Sequence, residues 1–438
     1  MINKSLLTAE RLAFVREKRA EMRAEGYAKW VKTVGKDIAD ELKKTYDLFD
    51  ETLYIWLAGL WEPSVGGFYY SETARDYDGF LPDIESTAQA LGYMQGVGLC
   101  QSRGATYSGA VSPEMRSSLL KFAKGLQYED DGFFYHPQWG KDIVTSRRGR
   151  DLSWAVGVIK ELGDTPTYPT PMDRAKSGAD SSTLPEYLRS TDAWREYLAT
   201  LDIAHRSYSL GNLLQSQTIQ IKGAGDEYVD ILLDWLESTQ NPENGTWEKE
   251  VNYASVNGLM KITLLYSAYR KKLPNADKAA ESAIAATLSD EVPTGVTSVF
   301  NPWVCISNLI ENLKNNGYSD KADALYSTLL SRGAEMIRIT REKLLPYKAA
   351  DGAYSYSRGK NAYLSQNAYV AIKDTDEAEV NGNGLATNGT VREIFRALRL
   401  ERTPYFCAED SELFLELLDT ATPSPKLYPA VPNPAKKA

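Results

Sequence analysis

Four polar stretches carry the side chains with which this chain could do chemistry. The first holds Tyr69, Asp78, Asp83 and Glu85. The second holds Tyr135, His136, Trp139, Arg147 and Arg148, followed by Trp154. The third holds Glu248, Tyr253, Asn257 and Lys261, and the fourth holds Tyr356. Asp78, Asp83, Glu85 and Glu248 form a pool of carboxylates. Two carboxylates flanking a glycosidic bond can serve as acid and as base or nucleophile. Tyr135, His136 or Tyr253 could instead take a proton from carbon beside a carboxylate, while Arg147 or Arg148 neutralises that carboxylate with paired N–H bonds. Tyr69, Trp139, Trp154 and Tyr356 offer flat apolar faces with polar tips, a shape that suits sugars. Asn257 and Lys261 are the expected polar contacts to such a ligand.

Each of these residues also has a plainer reading. Asp83, just before Ile84-Glu85-Ser86, fits a helix N-cap. Asp78 sits in a Gly-flanked loop, where Asp commonly forms turns. His136 is one of two histidines and fits a structural imidazole as well as a catalytic one. The run Arg147-Arg148-Gly149-Arg150 fits a solvated loop, although its position favours a carboxylate clamp.

The elements that must position these residues show themselves as a repeat. Trp235, Gln240, Gly245 and Trp247 follow an apolar run with helical spacing. The same offsets recur in Phe122, Gln127, Gly132 and Phe134, and in Trp56, Trp61, Gly66 and Phe68, where Trp stands in the Gln slot. Tyr347, Gly352 and Tyr354 make a weaker copy, and Asn301-Pro302-Trp303 marks a possible further one. The pattern implies a left-handed Gly at a helix C-cap, an aromatic ring folded back over the helix end, and a Gln bonded to unpaired backbone groups. Each of the four polar stretches follows, or begins within, a Gly-x-aromatic.

The Gln-Gly-x-Trp unit resembles the QW motif of the terpenoid cyclase and protein prenyltransferase superfamily. That resemblance implies an α/α toroid, with inner helices around a central cavity and outer helices around them. Carbohydrate-active hydrolases, lyases and epimerases share the toroid. The expected fold is therefore all-α, one toroid over residues 1–420, with small β-hairpins at its rim. Residues 163–190 form a long polar loop and 421–438 a Pro-rich tail.

Composition separates the functions that such a fold could host. The chain has 27 Tyr and 9 Trp against 11 Phe, which favours an oligosaccharide ligand over a terpene. It has no Asp-x-Asp-Asp acid, the nearest string being Asp374-Thr375-Asp376-Glu377. Neither histidine lies near a cysteine, so the local pattern of a zinc site is missing. No phosphate loop or dinucleotide fingerprint occurs. No cofactor or metal is therefore expected. A net charge of -9 without a basic run argues against nucleic acid, and no apolar stretch reaches membrane-spanning length. The N-terminus lacks the apolar core of a secretory signal, and three scattered cysteines suggest free thiols, so a cytoplasmic location is expected. The reading at this point is a hydrolase, lyase or epimerase acting on an acidic or polar glycan. A terpenoid cyclase-like enzyme and a non-catalytic binding toroid are the alternatives.

Overall fold

The computed structural model describes residues 1–176 and 185–425. It is mostly helical, as expected, and two small antiparallel hairpins accompany the helices, Trp61–Glu62 with Gly67–Phe68 and Leu364–Ser365 with Ala368–Tyr369. Among the described residues no helix is long and apolar enough to cross a membrane.

Helix starts follow local chemistry. Asp50, Asp83, Ser112, Ser190 and Asn252 each stand one residue before a helix and accept a first-turn N–H on the side chain. Helices alternate in two sets along the chain. Glu51–Gly59, Pro113–Gly125, Thr191–Ala199, Asp226–Thr239, Ala276–Leu288 and Ser319–Leu344 each precede a partner. The partners are Ile84–Val97, Thr145–Glu161, Ile203–Ser216, Tyr253–Tyr269, Val296–Asn315 and the broken run that begins at Val380–Gly384 and ends at Thr390–Ala397. Ile84–Val97 packs against Thr145–Glu161. Ile203–Ser216 packs against Tyr253–Tyr269, which packs against Val296–Asn315, which in turn meets Thr390–Ala397. Val380–Gly384 then packs back on Ile84–Val97. One set of buried apolar side chains runs from Val15 to Leu418, with a smaller cluster around Ile84 and Phe134.

The repeat residues fasten consecutive units. Gln240 Nε2 donates to the carbonyl of Gly245 at 2.8 Å and to that of Pro274 at 3.0 Å. Gln127 Nε2 makes the same pair with Gly132 at 3.2 Å and Tyr168 at 2.9 Å. The Trp247 indole donates to the carbonyl of Leu236, covering the end of its own helix. The glycines differ from the expected C-caps. The caps are Leu60, Leu126, Gln240 and Leu345. Gly66, Gly132, Gly245 and Gly352 lie beyond them in tight turns, with φ of 87°, 73°, 68° and 87°. A Cβ on Gly245 would stand 2.3 Å from the backbone of Ala279, and one on Gly352 would stand 2.6 Å from Thr52. The glycine is thus required both by its turn and by the neighbour it touches. Asn301-Pro302-Trp303 is no such turn, because it lies inside Val296–Asn315.

The stretch 163–190 is not wholly loop: Pro171–Lys176 and Glu186–Leu188 are short helical pieces. Residues 177–184 of that expected loop and 426–438 of the tail lie outside the described residues.

Candidate functional site

The polar side chains gather near the starts of the second set of helices. Asp83 caps Ile84–Val97, and its Oδ1 accepts from the N–H of Glu85 and Ser86. This Asp is therefore the helix cap that the plainer reading described. The same oxygen receives Arg147 Nη2 at 2.8 Å. Arg147 Nη1 pairs with Glu85 Oε2 at 2.9 Å, and its Nε with Asp151 Oδ1 at 2.8 Å. The guanidinium lies over the Trp139 ring, 4.7 Å from its centroid, and is 0 % exposed. Each of its nitrogens is already engaged by a carboxylate. Arg147, expected as a clamp for a ligand carboxylate, instead holds three carboxylates of its own chain.

This network sets the protonation of its members. Burial pushes the Asp151 carboxyl up to about 7, with the Arg147 charge opposing the rise and the Asp83 and Glu85 charges adding to it. Burial pushes His136 down to about 4. His136 Nε2 lies 2.9 Å from the carbonyl of Pro82, and Nδ1 accepts from the N–H of Gln138 at 3.3 Å. Those partners suit the neutral ring, protonated on Nε2. His136 stacks on Trp139 with centroids 4.2 Å apart. Expected as a candidate base, it is a buried imidazole with both nitrogens occupied.

A second group of polar residues adjoins this core. Glu85 Oε1 receives Arg150 and, at 3.1 Å, Gln89, whose amide also reaches Asn381 Oδ1 at 3.3 Å. Lys261 Nζ sits 5.7 Å from the Tyr208 ring. Burial holds the Lys261 ammonium below the usual lysine range, and the Arg150 charge lowers it further. One turn earlier, Asn257 Nδ2 donates to Ser298 Oγ at 3.1 Å, and Asn301 Nδ2 donates to Asn257 Oδ1 at 2.8 Å. Tyr356 Oη and Thr297 Oγ1 lie 3.0 Å apart. Close helix packing makes part of this possible. A Cβ on Gly258 would lie 1.9 Å from Ser207 Oγ, and one on Gly211 would lie 3.0 Å from Lys261 Cβ. The small residues bring Ile203–Ser216 against Tyr253–Tyr269 and Tyr208 beside Lys261.

The structure therefore brings Asp83, Glu85, Trp139 and Arg147 into one cluster. Asn257, Lys261 and Tyr356 stand on neighbouring elements beside it. Trp154 is half-buried one turn beyond Arg150. Other expected site residues lie elsewhere. Asp78 is exposed and lines a separate cleft of about 860 Å³ with Glu72, Arg75 and Asp351. Tyr69 is wholly buried in the core. Tyr135 Oη donates to Asp131 at 2.8 Å, and Arg148, from Thr145–Glu161, lies over Phe133, so both contacts are made to the turn around Gly132. Glu248 Oε1 accepts from Ser207 at the kink of Ile203–Ser216, where Arg206 leaves helical geometry. Tyr253 is buried, and its hydroxyl accepts from Lys343 Nζ at 2.8 Å.

Several participants were not singled out from the sequence. Arg150 and Asp151 lie in the second polar stretch, Arg150 within the arginine run, and 147, 150, 151 and 154 share one helix face. Gln89, Tyr208, Asn301 and Asn381 had no such signal. Glu379 also had none. It is 0 % exposed, burial raises its carboxyl well above the usual glutamate range, and its Oε2 has no hydrogen-bond partner. Among the described residues no group of His, Cys, Asp or Glu is arranged to hold a metal ion. Comparison of the chain with protein-family models, with curated proteins and with solved structures finds no match.

Proposed function

We propose that the chain is an α/α toroid that takes an anionic oligosaccharide between the starts of its inner helices. The order of helix packing supports the ring. Second-set helices meet in succession from Ile203–Ser216 onward, the last of them packs back on Ile84–Val97, and Ile84–Val97 packs on Thr145–Glu161. The observation that carries the ligand class is the half-buried Lys261 ammonium, held below the usual lysine range by burial and then by the Arg150 charge. Arg150 is already paired with Glu85, whereas Lys261, half-buried and beside the Tyr208 ring, has no carboxylate partner among the described residues, so an anion beside it would be favourable. Helix starts add N–H groups of the same sign. Around the cations stand Gln89, Asn257 and Asn381, amides suited to hydroxyl groups, and the rings of Tyr208 and Tyr356, suited to sugar faces.

In this reading Arg150 and Lys261 neutralise a uronate or sulfate, and Glu85 is the carboxylate nearest the bound ring. Proton transfer by Glu85 would make the protein a lyase or hydrolase. A binding role without turnover is the second reading. It is favoured by the full set of partners on Glu85, since both oxygens already accept hydrogen bonds.

Thermal-shift titration with oligogalacturonates, neutral cello-oligosaccharides and isoprenyl diphosphates tests the ligand class, because a ligand bound only by the native state raises Tm. Oligogalacturonates are expected to stabilise the protein. Lys261→Ala and Arg150→Ala each remove a hydrogen bond to a charged group, worth about 1.5–3 kcal/mol and hence about ten-fold or more in Kd. A shift with diphosphates alone would overturn the glycan reading. Product analysis on the bound oligosaccharide then separates turnover from binding.

A further inference from the structure

The hairpin of Leu364–Ser365 and Ala368–Tyr369 reaches the candidate site from a distant part of the chain. Ser365 Oγ donates to Glu85 Oε2 at 3.1 Å, and the Ser365 carbonyl accepts from Arg147 Nη1 at 3.3 Å. We infer that this hairpin is a cover over the site, latched at its tip by Ser365 and opening to admit the ligand. The ligand's identity rests on the function proposed above, whereas the cover stands on its own geometry.

Base and tip are held very differently. At the base, Asn361 Nδ2 donates to Glu377 Oε1 and to the carbonyl of Ile372, both at 2.7 Å. Glu377 also receives the Thr73 N–H at 2.9 Å and the Thr375 hydroxyl at 2.7 Å. Tyr369 stacks on Phe80 with centroids 5.9 Å apart and planes 12° from parallel. The tip is a two-residue turn, Gln366-Asn367, with φ of 48° and 63°. Such a turn matches strand twist, but Gln is unusual there because its Cβ crowds the backbone in the left-handed region. Both turn residues are exposed, as is Leu364. The two Ser365 bonds tie this tip to the network.

One of those two bonds involves Glu85, the carboxylate placed nearest the ligand. Ser365 and Arg147 share Glu85 Oε2, while Arg150 and Gln89 hold Oε1 of the same carboxylate. With the latch closed, a ligand hydroxyl cannot take the Oε2 position. With the tip displaced, Glu85 and one edge of Arg147 are exposed beside Arg150. The base can remain folded throughout, because its bonds to Glu377 do not involve the tip.

The experiment needs no ligand. Cys100, Cys305 and Cys407 are all buried, so an introduced thiol can be followed by itself. Gln89→Cys places that thiol one helical turn from Glu85, at a position that is half-buried with the latch closed. Its modification by a sulfonated maleimide is read by mass spectrometry, with the urea-unfolded protein as the full-rate reference. The expected result is slow labelling in Gln89→Cys. Adding Ser365→Ala is expected to accelerate it by about five-fold, the effect of losing one hydrogen bond from the closed state. Hydrogen exchange of the Ser365→Ala protein checks that residues 377–383 keep their protection while 364–369 lose it. Equal labelling rates with and without Ser365, or labelling of Gln89→Cys at the full rate, would overturn the cover. Oligogalacturonate affinity that is unchanged by Arg150→Ala would instead sink the ligand reading and leave the cover standing.

Discussion

Replacing Asp151 by Asn should change how stability depends on pH relative to the parent, in which two buried groups oppose one another. Asp151 and His136 flank Trp139 in the same buried network and titrate in opposition. The Asp151 carboxyl rises from an unfolded value of 3.8 to about 7. Between those values the folded protein holds a proton that the unfolded chain releases, so stability falls as pH rises. His136 drops from 6.5 to about 4. Between those values the unfolded chain holds the extra proton, so stability rises with pH. From pH 4.5 to 6.5 each group shifts unfolding free energy by about 2 kcal/mol, with opposite signs. The two nearly cancel in the parent. Asp151→Asn removes the falling contribution and leaves the rising one, so the variant should gain about 2 kcal/mol on the parent across that interval. Urea denaturation midpoints of parent and variant, measured together at half-unit steps of pH, give the comparison. A constant penalty from the Asn amide facing the Trp139 indole would displace the curves without changing their relative slope. Parallel curves from pH 4.5 to 6.5 would refute the protonation state argued for Asp151.

Two further substitutions probe other parts of the structure. Gly245→Ala forces a Cβ into a left-handed turn and against Ala279, and should cost at least about 2 kcal/mol in chemical denaturation; an unchanged midpoint would show that the turn is not required. Glu379→Gln retains the acceptor for the Tyr356 N–H and has no proton to lose. The parent should lose stability as pH rises from the ordinary glutamate value toward the raised folded one, whereas Glu379→Gln should not, so the gap between their melting temperatures should widen in favour of Glu379→Gln with increasing pH. A gap that stays constant across pH would mean that Glu379 is ionised in the folded protein.

How much was legible in the sequence depended on how far each signal reached along the chain. The Gln-Gly-x-aromatic units were visible because their residues bond within a few positions of one another, as Gln240 does with Gly245. The location of the left-handed glycine was misread, since a tight turn after a cap and the cap itself carry the same residue. The Asp83 cap was readable from its position before Ile84. The fate of Arg147 was not. A run of arginines gives charge and spacing, but burial decides whether the guanidinium faces a ligand or its own carboxylates. The same holds for Tyr253 and His136, whose polar atoms are taken up by Lys343 and by Pro82 and Gln138. Asn257 and Lys261 stand in the third polar stretch, whereas the approach of Tyr208 to Lys261 has no local signal because it depends on Gly211 and Gly258 in two helices. The contact of Ser365 with Glu85 joins residues 280 positions apart, and no local pattern announces it.

The junction of the first and last motif units sets a clock on biosynthesis. The Trp56 indole donates to Asp351, and Gly352 packs on Thr52, so the Glu51–Gly59 helix finds these partners only after residues 351 and 352 are made. These residues are 295 positions apart, and at roughly 5–20 residues per second a ribosome needs about 15–60 s to cover that distance. During that interval one side of the helix, with Thr52, Ile55 and Trp56, waits without its final neighbour. The emerging chain is therefore exposed to misassociation for far longer than its local helices take to form.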